Sequence, residues 1–498
     1  MFTALTALVF AYEGVSFSTR LTLLPDIERV ESEEEYESLK AGLQADKSKL
    51  IKFSEELAYD EKSDAYYSGH QDVKIGHTGK VWLKSFYDTD NRMYKITARS
   101  VDSYSELKII VTGTPIIKID SIKESRKALN TDYDKVILTA FEADPGAEPK
   151  KYQIRMSLRG DSSLLYPKKS YTLRQLGKEK MSLFGLPANE KYSLNSLYED
   201  EYKMRDVFSW SIWTSGSAYR NERGIFNSSP MIYTEVFIDN SYEGLYGLQD
   251  LVNEHKLGFE RKKGSIFEAS TNTFPEAISP EGNLPIEGIE LRYSNLEYKK
   301  RWEKFNFFFT KFTQSPIDQA FFDEKLDMTS HIEYYLFVEL IMGSDNWWKN
   351  IKMSIDEESG KLMVTPWDLD LTFNANWSGK WPYYTETVFN EPWMIYYSAE
   401  QKSFIHTLVH RKDDFLQKAA IRYFELRKNE WTYEALKEKY SECQSLLHQS
   451  GAYERDLARW PESKQIAEGE EDYIFSVLVK KMKLMDDYYS AILYGDAS

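Results

Sequence analysis

Ser344-Asp345-Asn346-Trp347-Trp348-Lys349-Asn350 and Pro366-Trp367-Asp368-Leu369-Asp370 are the two stretches on which the reading of this chain turns. An aspartate, an asparagine and a further aspartate, in that order, form the set of groups that phosphoryl transfer from ATP requires. One carboxylate orients the attacking hydroxyl, while an amide oxygen and a second carboxylate hold the metal that bridges the phosphates. Just upstream, Ser330 and Glu333 read as a capping box ahead of the apolar run 334–342, and Gly343 reads as its stop. Lys352-Met353-Ser354-Ile355 and Lys361-Leu362-Met363-Val364 read as a hairpin around 356–360. Asp345 is thus expected at the end of a helix and Asp368 directly after a second hairpin strand, so that both converge on one cleft.

An isolated Asp-x-Asp is an ordinary exposed turn, because aspartate and asparagine are normal turn residues. The combination carries more than any single residue. Helix, acidic loop, short hairpin and second acid follow the order in which protein kinases arrange catalytic loop, two strands and metal-binding aspartate. The five-position step from Asp345 to Asn350 equals the kinase step from base to metal-binding asparagine. The histidine and arginine that precede the kinase base are absent, and Gly343 and Ser344 stand there instead. The orientation of Asp345 must then come from elsewhere, with Asn346, Trp347 and Trp348 the nearest candidates. Large aromatics beside carboxylates also exclude water and strengthen charge interactions.

Donor phosphates need a cation as well. Residues 152–159 read as a strand with Tyr152, Ile154, Met156 and Leu158 on one face, and 168–174 as a second strand after the loop 160–167. Backbone amides of the Gly-Asp-Ser-Ser turn in that loop could face phosphate. Alternation groups Lys169 with Tyr171 and Leu173, making Lys169 the inward residue, whereas a bare Lys-Lys pair more often marks a solvated strand edge. Further on, a helix is expected over 203–215. Residues 232–238 and 245–251 are expected to pair about the turn Asp239-Asn240.

Bulk properties narrow the rest. The chain has 498 residues, a formal charge of −16 and 42% hydrophobic content, so it can bury a large core and disfavours nucleic acid or anionic membrane as a partner. No run approaches the roughly 18 apolar residues of a membrane-spanning helix. The start, 1–11, resembles the apolar part of a signal peptide without a basic flank. Residues 12–64 are polar and acid-rich and read as helix and loop, and short strands are expected between 73 and 114. The chain from Trp431 onward reads as helices. His406 and His410 lack the glutamate of a zinc-protease motif, and Cys443 has no histidine nearby in sequence.

Read together, Ile154 to Ser163, Tyr166-Pro167-Lys168-Lys169-Ser170-Tyr171, Tyr198-Glu199-Asp200, Met204-Arg205-Asp206, Glu235 to Asn240 with Tyr242-Glu243-Gly244-Leu245-Tyr246, and the two acidic segments resemble the CotH spore-coat protein kinase family. The motifs keep the family order from about 105 to 375. The resemblance implies an α+β, atypical protein-kinase-like two-lobed fold with a β-rich N-terminal lobe (about 105–255) and a mainly helical C-terminal lobe (about 256–498); it does not cover 1–104, which reads as an acidic helix and loop segment with a small β-module.

It also implies ATP- and Mg2+- or Mn2+-dependent phosphorylation of serine or threonine on secreted or spore-coat proteins, and an extracytoplasmic or coat location. Carried over by position, Asp345 is the catalytic aspartate, Asp368 the principal metal ligand, and Asn350 and Asp370 supporting metal or phosphate contacts. The family pattern favours Lys168 over Lys169 as the ATP lysine, against alternation, and both are kept. Arg159, Ser162 and Ser163 are implied phosphate contacts. Asp250, where the family often has glutamate, ends the segment that would border adenine. An acidic surface suits basic, serine-rich protein substrates. Two rivals stand beside this reading: nucleotidyl transfer onto protein by a reversed nucleotide, and a non-catalytic coat or adhesion scaffold that keeps the fold.

Overall fold

Ile154 and Met156, two positions apart on one strand, are both fully buried, and this alternation organises the β-rich half of the protein. A computed structural model describes residues 20–23, 28–29, 51–53, 56–70, 72–77, 82–88, 92–99, 104–121, 133–143, 147–160, 162–259, 261–270, 285–314, 316–347, 349–375 and 404–495. The signal-like start, the glutamate run 31–37, Asp161, Trp348 and the side chain of Ser162 lie outside the described residues. The fold is mixed α+β. It divides into two compact units: Met1–Lys203 with Ile232–Asp250 and Glu442–Gln465, and Met204–Met231 with Leu251–Ser441 and Ile466–Ser498.

The first unit is built on a closed seven-stranded barrel. In order around the barrel its strands are Ile116–Ser121, Tyr133–Phe141, Lys150–Arg159, Ser170–Gln175, Lys191–Asn195, Ser241–Asp250 and Met231–Ile238. Ile119, Leu138, Ile154, Met156, Leu173, Leu194, Val236 and Leu248 fill its interior. Met231–Ile238 turns into Ser241–Asp250 through Asp239 and Asn240, at φ 48° and 60°. Two successive left-handed residues make the tight hairpin turn that matches strand twist, which Asp and Asn tolerate. The returning strand therefore begins at Ser241, four residues before the expected start at 245.

Two other expectations in this unit are corrected. The strand after the loop starts at Ser170, not at 168, so strand alternation does not govern Lys168 and Lys169. The loop itself tightens into a 3-10 turn, Ser162–Leu165, which Gly160 makes possible. Gly160 sits at φ +105°, and a Cβ there would lie 1.7 Å from Ser163 Oγ. Residues 12–64 also contain strands rather than helix and loop alone, including Arg20–Leu23, Ile51–Phe53 and Ala58–Asp60. Their partners lie outside the segment or at its edge: Ala58–Asp60 pairs with Ala65–Ser68, which runs parallel to Tyr104–Val111. Pairing with distant chain overrides a polar local composition.

In the second unit a four-stranded sheet, ordered Ile289–Ser294, Gly264–Ala269, Ile351–Asp356, Leu362–Pro366, packs with helices. The central helix, Met328–Ile341, is buried along nearly its whole length. Its N-cap is Asp327, whose carboxylate accepts from Ser330 N at 2.9 Å, and not Ser330 as the capping-box reading has it. Glu333 instead accepts from Ser217 Oγ at 2.6 Å and pairs with Arg422. A buried carboxylate gains more from a guanidinium and a hydroxyl than from a backbone amide at a helix start. At the other end Met342, not Gly343, takes the left-handed turn, with φ 51°. Gly343 N–H then donates to Val338 O, and the glycine is needed because a Cβ there would lie 2.7 Å from Asn346 Oδ1.

Candidate active site

The left-handed turn at Met342 redirects the chain so that 344–350 runs beside 367–374. Hydrogen bonds hold the two segments together. Ser344 N–H donates to Leu371 O at 3.0 Å, Phe373 N–H to Ile341 O at 2.6 Å, and Asn346 Nδ2 to Trp367 O at 2.8 Å. The same Asn346 amide reaches Asn350 O at 3.3 Å, and Tyr334 Oη donates to Asn346 O at 2.6 Å. Asn346 therefore does much of the positioning for which the missing His-Arg pair left a gap. Trp347 is buried beneath the loop, with an indole N–H that has no hydrogen-bond partner among the described residues.

These bonds bring the acids of the second unit together. Asp345 is 8% exposed and forms an ion pair with Lys349 one turn on. Asp368 is exposed and adopts a left-handed backbone, φ 53°, as a non-glycine residue. Such strain persists where surrounding structure imposes it, and it clusters at functional sites. The preceding Trp367 is fixed by Lys352, whose Nζ sits 3.4 Å from the ring centroid. Burial and the neighbouring carboxylates of Asp368, Asp206 and Asp345 push the Asp370 carboxyl well above its usual range, and Lys349 opposes them. Asn350 has φ 58°, and its backbone N–H is fixed to Ala269 O at 2.9 Å.

Asp206 had no role in the sequence reading beyond its place in the Met204-Arg205-Asp206 motif. It stands in the first turn of the helix Arg205–Gly216, fully buried, and its Oδ1 accepts from Leu369 N at 2.9 Å. It thus fixes the peptide between Asp368 and Asp370. Arg205 beside it donates from Nε to Thr372 O at 3.0 Å. Carboxylates concentrate around Asp370 and Lys349 only partly offsets them, yet among the described residues no three His, Cys, Asp or Glu side chains are placed to hold a metal ion as they stand. A divalent cation would relieve that repulsion, and Asp368, Asp370 and Asn350 are the residues that could hold it.

In the first unit, Lys168 is wholly buried. Its Nζ donates to Asp456 Oδ1 at 2.6 Å and to Leu245 O at 2.5 Å, and lies 4.6 Å from the Tyr246 ring centroid. Lys203 Nζ approaches the other oxygen of Asp456 at 3.6 Å. Burial pulls the Lys168 amine down to about 8, with Lys203 acting in the same direction and Asp456 opposing both. Lys169 points elsewhere: its Nζ donates to Leu164 O at 2.6 Å and Tyr166 O at 2.5 Å, closing the 3-10 turn. Arg159 ends its strand opposite Ser170 and is half-buried. Asp250 is fully buried and accepts from Asn189 Nδ2 at 2.6 Å. Nothing in local spacing points to Asp456, which lies 288 positions from Lys168 in a helical tail.

Residues 156–485 match the family described as CotH kinase protein. The chain belongs to the CotH kinase family, and membership supports a kinase-like function. Among solved structures, a proinflammatory kinase of Helicobacter pylori, CtkA, is similar at 10% identity over 65% of this chain and 94% of that one. Its TM-score is 0.23. No curated protein matches the chain in sequence.

Proposed function

We propose that the protein is an ATP- and divalent-metal-dependent kinase that phosphorylates serine or threonine on other proteins. The observation that carries this reading is the stapling of the 344–350 and 367–374 loops, which brings Asp345, Asp368 and Asp370 together over Asp206. In this reading Asp345 accepts the proton of the attacking hydroxyl at a carboxylate oxygen, and its ion pair with Lys349 orients it for that step. Asp368, Asp370 and Asn350 hold Mg2+ or Mn2+, which supplies charge neutralisation at the phosphates when bound. Lys168 contributes positive charge toward the donor phosphates, with Arg159, Ser162 and Ser163 as further phosphate contacts and Asp250 near the base.

The protein's charge of −16 favours basic, serine-rich substrates, and the family's link to spore coats favours a secreted or coat protein as target. Incubation with γ-labelled ATP and Mg2+ or Mn2+ tests the reading. Wild type should label itself or a basic serine-rich protein, and Asp345→Ala and Asp368→Ala should not, while keeping wild-type circular dichroism. Undiminished labelling in either variant removes the assignment. Intact mass of the product separates phosphate from AMP as the transferred group. No thermal shift with ATP and metal would point to a non-catalytic scaffold.

A further inference from the structure

The family match begins at residue 156, yet the backbone that closes over Lys168 is held from outside that region. Tyr242, next to the turn of the Met231–Ile238 and Ser241–Asp250 strands, is bonded through both of its backbone polar groups. Its N–H donates to Asp60 Oδ1 at 3.1 Å, and its carbonyl accepts from Arg459 Nε at 2.7 Å. Arg459 and Asp456 share the short helix Ala452–Arg459, whose Asp456 is the partner of Lys168. Glu243 continues the same line: its carbonyl accepts from Trp460 Nε1 at 2.8 Å, and its carboxylate pairs with Arg459 at 3.2 Å. Leu245 then donates to Asp456 Oδ1 at 2.8 Å while its carbonyl receives Lys168.

Asp60 is itself built for this contact. It is 5% exposed, and its second oxygen is occupied by Ser63 N–H at 2.9 Å and Ser63 Oγ. Beside it, Glu61 N–H donates to Asn240 O at 3.0 Å. Tyr67, on the strand Ala65–Ser68, stacks on Tyr242 with centroids 5.5 Å apart and planes 11° apart, and meets Phe237 edge-on at 4.8 Å. Ala58, Ala65, Ile116 and Phe141 complete this apolar cluster. A second brace runs parallel: Glu235 accepts from Thr114 Oγ1 at 3.1 Å and from Arg455, the neighbour of Asp456.

We propose that Asp60 and Tyr67, in the N-terminal β-module, are positioning residues for the Lys168–Asp456 pair and act through the backbone of Tyr242 to Leu245. The proposal rests on the kinase reading only for its functional consequence, because the geometry of the pair is independent of what the lysine binds. The module would set the affinity of the lysine's site for nucleotide, and an event that loosens the module would lower it.

The test labels the full-length protein with acetic anhydride and follows Lys168 by peptide mass spectrometry. The buried Lys481, paired with Glu339 in the other unit, serves as internal reference. In Asp60→Ala and Tyr67→Ala the acetylation rate of Lys168 should rise about ten-fold, the change expected from one lost buried charge-assisted bond or stack, with Lys481 unchanged. Tyr67→Phe keeps the ring and should restore protection. In the same variants KM for ATP should rise by roughly the same factor while kcat stays within about two-fold. Wild-type protection of Lys168 in both alanine variants overturns the proposal. So does parallel loss at Lys168 and Lys481, which would make the module a general stability element, and so does failure of Tyr67→Phe to restore protection. If wild type transfers no phosphate, the kinase reading falls while the labelling result still decides this one.

Discussion

Lys168 Nζ lies 2.6 Å from Asp456 Oδ1, both side chains fully buried and 288 positions apart in the chain. Burying two charges costs several kcal/mol, which their attraction offsets only with good geometry and further hydrogen bonds. Those further bonds are present, since Asp456 also receives Leu245 N–H and lies near Lys203, and Lys168 also reaches Leu245 O. A pair maintained at such cost is weak evidence for stability and stronger evidence for a role that needs a lysine held in one place.

Gly244 makes the pair possible. It sits at φ +105°, and a Cβ there would stand 2.3 Å from Asp456 Oδ1 and 3.3 Å from Lys168 Cε. Gly244→Ala should cost about 2–4 kcal/mol in urea unfolding, from backbone strain together with a displaced buried carboxylate.

Lys168 and Lys169 should separate cleanly in kinetics. Lys168→Met should lower kcat/KM for ATP by about 100-fold or more, as for other deleted charge-stabilising donors. Lys169→Met removes only the closure of the 3-10 turn and should change it by less than about ten-fold, the effect of one ordinary hydrogen bond. Steady-state kinetics of the two variants checks this, and equal losses would contradict it.

Asp206 should act through the loop it anchors. Asp206→Asn keeps an acceptor for Leu369 N–H but loses a charge, and should weaken Mn2+ binding about ten-fold with little change in stability. Asp206→Ala leaves that N–H buried and unmatched, and should cost about 1–3 kcal/mol in addition. Calorimetric metal titration and urea unfolding distinguish the two effects.

His331 should make the fold acid-sensitive. It is fully buried, with Nδ1 2.8 Å from Asp327 O and Nε2 without a hydrogen-bond partner among the described residues. Burial lowers its pKa from 6.5 to about 4, so the folded state holds it neutral while the unfolded chain takes up a proton. Its contribution is complete above pH 6.5 and falls away as pH drops toward 4, by about 3 kcal/mol in total. Asp327 acts in the opposite direction. Burial raises its carboxyl to about 6, so its cost is full above pH 6 and relieved as pH falls toward 3.8. The decisive quantity is therefore the difference between wild type and His331→Gln in urea unfolding at pH 7 and pH 4.5, where the variant should lose less.

Much of the architecture could be read locally. Period-two alternation at Ile154 and Met156 located a barrel strand, and Asp239-Asn240 located its hairpin turn, because both signals depend on neighbours within a few residues. The capping box at Ser330 misled for the same reason: a local pattern was consistent with Glu333 as a cap, but Ser217 and Arg422, far away in sequence, supply a stronger partner.

The sequence by itself determined the order of the acids, Asp345, Asn350, Asp368 and Asp370, and the helix and hairpin that carry them, since periodicity and turn chemistry are written in adjacent residues. Only the tertiary structure decided that Asn346 staples the two loops, that Asp206 fixes the peptide between Asp368 and Asp370, and that Asp456 is the acid facing Lys168. Each of these is a hydrogen bond or ion pair whose partners are brought together by the burial of apolar surface elsewhere, and no local spacing encodes such a meeting.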